Sequence, residues 1–93
     1  MANMNIDHAQ TNLRWCNRAW KDGELRDLAL FLFRKAISQL TMADIGFDTQ
    51  VEIAAAHLGK EASVDLFKFN EEITNNPVAF KAWQLRVSSL IVC

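Results

Sequence analysis

The sequence predicts an all-α fold: a compact bundle of four to five helices built around a central hydrophobic helix 2 (about 24–41). Three observations predict it. Apolar residues recur at helical rather than strand spacing along most of the chain. With 3 Gly and 1 Pro, there is little material for the tight turns that many short strands need. A chain of 93 residues, 51% hydrophobic and with net charge -1, suits one modest core and is too apolar for intrinsic disorder. Residues 1–93 are therefore read as a single helical domain, with residues 1–5 as a disordered tail.

Helix 1 begins near Ile6, because Ile6, Ala9, Leu13, Cys16 and Trp20 form one amphipathic stripe. Asp7 suits its N-terminal dipole, Arg18 and Lys21 suit its C-terminus, and Gly23 is a natural stop. Helix 2 is expected over about 24–41. Leu25, Ala29, Leu32, Ala36 and Leu40 share a side flanked by Leu28, Phe33 and Ile37, an arc wide enough for neighbours on more than one side. Met42–Asp48 reads as a connection. Thr49 and Glu52 have the spacing of a capping box for helix 3, with Asp48 as an alternative cap and Gly59 as the end.

Residues 60–74 carry a helical stripe of Ala62, Leu66, Phe69 and Ile73. The bulky run 64–69 also suits a strand, but a lone strand would find no partner, so helix is expected. Asn76 and Pro77 read as a cap and first-turn residue of the last helix, which reaches about Val92. Phe80, Trp83, Val87, Leu90 and Ile91 lie on one side of it. A second stripe of Val78, Ala82, Leu85 and Val92 lies on roughly the opposite side.

Charge is unevenly placed. Residues 1–21 carry +2, residues 22–76 carry −5 and residues 77–93 carry +2. This balance is wrong for a general nucleic-acid coat. Cys16 and Cys93 make no disulfide framework and are read as reduced thiols. The first ten residues lack the apolar run of a signal peptide, and the longest such run, Leu28–Phe33, is far short of the about 20 residues of a membrane span. A cytoplasmic protein with no membrane partner is expected.

Chemistry-bearing patterns are missing. His8 and His57 stand apart with no metal-ligand spacing around them, and each Gly sits where a helix end or turn wants one. Glu71 and Glu72 are adjacent and diverge by about 100° on a helix. No enzyme activity, cofactor or metal is expected. The segment Thr49–Gly59, with Ile53-Ala54 and Leu58-Gly59, resembles the first helix and turn of the helix-turn-helix DNA readers. Aligned on Gly59, however, the pattern puts Lys60, Asp65 and Lys68 where that motif buries apolar groups. The following helix also lacks the basic surround of a groove reader.

Three features point instead to protein contacts. Trp15 falls opposite the helix 1 stripe, beside His8, Thr11 and Arg18. Leu30 and Phe31 flank the polar strip of helix 2, and helix 5 carries its second stripe. Each alone is accounted for by packing within the chain. Together they exceed the apolar surface a small monomer usually exposes, and Trp and Arg are common interface anchors. The expected function is a non-enzymatic, stoichiometric interaction module (a regulator, adaptor or inhibitor), a class that includes small proteins of mobile genetic elements. His8, Trp15, Arg18, Leu30 and Phe31 are the expected partner-binding residues. Val78, Ala82, Leu85 and Val92 are expected to form a homodimer seam. The competing class is a DNA- or RNA-binding regulator using basic helix 1 and residues 49–64, although nucleic acid is not the favoured partner.

Overall fold

A computed structural model describes residues 4–91 as five α-helices joined by short connections: α1 Met4–Lys21, α2 Arg26–Met42, α3 Phe47–Leu58, α4 Lys60–Thr74 and α5 Pro77–Ile91. No strand occurs among the described residues. The fold class is the one the spacing predicts. Met4 and Asn5, expected in the tail, belong to the first turn of α1, whose helical pattern extends two residues ahead of the Ile6 stripe.

The α1–α2 connection differs in detail from the expected glycine stop. Asp22 is extended, and its carboxylate Oδ1 accepts from the Glu24 amide at 3.1 Å. That local bond winds Gly23–Leu25 into a 3₁₀ turn, so α2 proper begins at Arg26 rather than near Glu24. The short turn folds α2 back against α1. Asn12 then donates to Gln39 at 2.8 Å, and the buried Cys16 thiol donates to the Ala29 carbonyl at 3.2 Å.

Helix α2 lies at the centre, as its wide apolar arc predicts. Ala29, Leu30, Phe33, Ala36 and Leu40 are fully buried against Leu13, Cys16, Ala54 and Leu66 of neighbouring helices. Leu30 is thereby corrected from a partner-binding residue to a core residue. The physical reason is its spacing: it lies three residues before Phe33 and seven before Ile37, so it shares their face rather than the polar one.

The start of α3 is a second correction. The Thr49–Glu52 capping box does not form, nor does Asp48 cap. The helix starts earlier, at Phe47, with Gly46 in the N-cap position and no side-chain cap. Two tertiary interactions account for this. Phe47 meets Phe67 of α4 edge-on at 5.8 Å. The buried Gln50 amide nitrogen donates to the Ile45 carbonyl at 2.8 Å and to Thr41 Oγ at 3.0 Å, stapling the turn before the helix.

Residues 60–74 are helical. Leu66 and Ile73 are buried, and Phe67 packs edge-on to Phe33 at 4.8 Å. Gly59 alone separates α3 from α4. Its amide donates to Ala55 and its carbonyl accepts from Ser63, at 2.9 and 3.0 Å. Its backbone (φ 86, ψ 152) is a combination that is essentially glycine's alone. The start of α5 is as read: Asn76 Oδ1 accepts from the amides of Val78 and Ala79 at 3.1 and 3.2 Å, and Pro77 opens the helix.

Candidate functional site

The two-sided reading of α5 describes its placement well. Trp83 and Val87 are buried, and Phe80 and Leu90 are partly covered. The opposite stripe stays outside: Val78 is 81% exposed, Leu85 is 66% exposed, and Ala82 between them is also exposed. Val92, the remaining member of the expected seam, lies outside the described residues. The helix is anchored by its inner side. Trp83 donates its indole N–H to the Asp27 carbonyl at 3.1 Å, and Arg86 forms a two-point pair with the Asp27 carboxylate at 2.9 and 3.1 Å. Accepting those bonds, the Asp27 carboxylate raises the Arg86 pKa above its ordinary value.

Trp15 is 54% exposed, with the Arg18 guanidinium 5.2 Å from its ring centre. Beside this pair a cleft of ≈ 380 Å³ opens between α1 and α2, floored by Leu25, Leu28 and Leu32. Leu28 and Leu32 are one helical turn apart, so they make a continuous apolar strip under the indole. His8 is exposed two turns earlier on α1 and does not line this cleft. Trp15 and Arg18 are thus brought together with leucines that the spacing alone assigned to the core side of helix 2 (Leu25, Leu32) and to its flank (Leu28).

Phe31 stands elsewhere, on the flank of α2 that faces α5. It is half-buried and lines two adjoining clefts. One, of ≈ 470 Å³, runs along α5 past Lys81, Leu85 and Ser88; the other, of ≈ 570 Å³, lies among α2, α4 and α5. In the larger cleft sits Arg34, whose role has no local signature in the sequence. Its Nη1 donates to Asn70 Oδ1 at 2.7 Å and to Thr74 Oγ at 3.0 Å, and its guanidinium lies 5.3 Å from the Phe80 ring and 5.4 Å from that of Trp83. The partner-binding residues expected from sequence therefore do not form one site: Trp15 with Arg18, Phe31, and buried Leu30 occupy three different places.

Burial pushes the Cys16 thiol up to about 12, so it is a protonated packing group and not a nucleophile at neutral pH. Among the described residues no three His, Cys, Asp or Glu side chains converge as metal ligands, and no helix is long and apolar enough to cross a membrane. The outward side chains of α4 include Glu61, Asp65, Glu71 and Glu72 against Lys60 and Lys68, an acidic surface ill-suited to phosphate. Compared with known protein families, curated proteins and solved structures, the chain matches none of them.

Proposed function

We propose that this chain is a non-catalytic protein-interaction module that acts stoichiometrically, as a regulator, adaptor or inhibitor, and that it self-associates through the outer stripe of α5. The observation that carries the reading is the exposure of Val78 and Leu85 on a helix whose other side is already packed. Val78, Ala82 and Leu85 are spaced to lie along one face, so two copies can pair the same patch about a two-fold axis. The exposed Trp15–Arg18 pair, with the leucine strip beside it, gives the module a second surface of hot-spot composition on α1.

Sedimentation across a range of concentrations tests the self-association. The parent chain is expected to dimerise, and a Val78→Asp/Leu85→Asp variant to remain a folded monomer. A parent chain that stays monomeric at millimolar concentration overturns the seam. Trp15→Ala with Arg18→Ala is expected to leave both helicity and dimerisation intact, since neither residue lies on α5.

A further inference from the structure

Arg34 is a half-buried cation whose contacts among the described residues are all neutral: an amide oxygen, a hydroxyl and two aromatic rings. Asn70 and Thr74 use Nη1 alone, so Nε and the outer Nη2 retain a two-donor edge of the kind that grips a carboxylate side-on. The four neutral partners hold the guanidinium in place without cancelling its charge. Arg86, by contrast, is neutralised by Asp27. A partly desolvated cation gains most from a counter-ion when its geometry is already set.

The surroundings point the same way. Lys35 lines the same cleft and Lys81 the adjoining one, and neither cleft is lined by any Asp or Glu. Glu71 and Glu72 follow Asn70 in sequence but do not line it. Apolar walls flank the charge in the larger cleft, where Phe31, Ile37, Phe80 and Trp83 surround Arg34. The chemistry of this groove suits a chain segment that carries carboxylates between large apolar side chains, more than a free inorganic anion.

We propose that the groove between α2 and α5 binds an acidic, aromatic- or aliphatic-rich segment of a partner protein, with Arg34 taking one of its carboxylates. This rests on the reading of the chain as an interaction module and assigns the chemistry of its partner. The chain's own acidic helix α4 is a poorer occupant. It forms one wall of the groove through Asn70 and Thr74, and its insertion into a second copy would be a head-to-tail contact that need not close.

The test is an NMR titration of the ¹⁵N-labelled chain, read at the Arg34 Nε–H and Trp83 indole N–H signals. Three probes are used: a twelve-residue peptide alternating Asp or Glu with Trp and Leu, its Asn/Gln counterpart, and inorganic phosphate. The acidic peptide is expected to shift both signals, and the amide counterpart to bind about tenfold more weakly. Asn70→Asp places a carboxylate where an oxygen already lies 2.7 Å from the guanidinium. That variant should melt no lower than the parent yet bind the acidic peptide about tenfold more weakly, because Arg34 is then paired internally. Arg34→Lys, which keeps charge but loses the fork, should also bind less well. Equal binding of the two peptides, indifference to Asn70→Asp, or phosphate shifting the signals as strongly as the acidic peptide would overturn the proposal, as would no shift at all. A blank titration alongside intact dimerisation sinks this groove alone; a blank titration by a strict monomer sinks the interaction module with it.

Discussion

Helices α2 and α5 are alike in sequence and opposite in fate. Both carry apolar residues on more than one side. On α2 the breadth is used, since α1, α3, α4 and α5 surround it and Ala29, Leu30, Phe33, Ala36 and Leu40 are fully buried. On α5 only the Trp83–Val87 side meets other helices, and Val78 and Leu85 stay in solvent. The same pattern therefore means core in a helix packed against four others, and an exposed stripe in one packed by its inner side alone. What separates them is position in the topology, not composition.

The contrast can be broken most forcefully from the α2 side. Leu30→Ala should cost about 2–5 kcal/mol in urea or thermal unfolding, because it opens a cavity in a site with no exposed edge. A loss below about 0.5 kcal/mol would mean Leu30 is a surface residue after all. Gly59→Ala should cost about 1–3 kcal/mol through backbone conformation alone, since a Cβ there meets nothing within 4 Å. Chemical denaturation of Gly59→Ala beside Gly46→Ala isolates that effect, because Gly46 has an ordinary negative φ of -67.

Next in size is a pH effect seated between α1 and α2. Burial raises the Cys16 thiol from 9.0 to about 12. The unfolded chain thus loses this proton first. The associated stability is fully present well below pH 9 and falls as pH rises toward 12, by about 1–2 kcal/mol at pH 10. Unfolding of the parent and Cys16→Ala from pH 8 to 10.5 should show that slope only in the parent. The smallest stability change belongs to α5: Val78→Asp and Leu85→Asp should each stay within about 0.5 kcal/mol. A larger loss from either would erase the distinction between the two helices.

Much of this architecture is legible locally. The α1 stripe, the Asn76 cap, the Pro77 start and the outer face of α5 all depend on residues within a turn or two of each other, which is where periodicity and capping chemistry act. The α3 start is not. Thr49 and Glu52 have the right spacing, but Phe47 packs on Phe67 of α4 and Gln50 donates to Thr41 of α2, contacts with other helices that the capping pattern does not contain. Leu30 is a subtler case. Its relation to Phe33 and Ile37 is readable by helical geometry, yet a wide apolar arc makes its edge easy to misplace. Arg34 lies beyond local reading altogether, since Asn70, Thr74, Phe80 and Trp83 converge on it from α4 and α5.

The single residue between α3 and α4 has a practical corollary for anyone cutting or lengthening this chain. Because Gly59 donates the last backbone hydrogen bond of one helix and accepts the first of the next, that corner has no slack to pay out to a protease or an inserted tag. The turn at 43–46 divides those roles between residues, with the Ala43 and Ile45 amides closing α2 and the Gly46 carbonyl opening α3. Nicks and grafted sequences belong there, where the bundle can be opened at its seams without unthreading a helix.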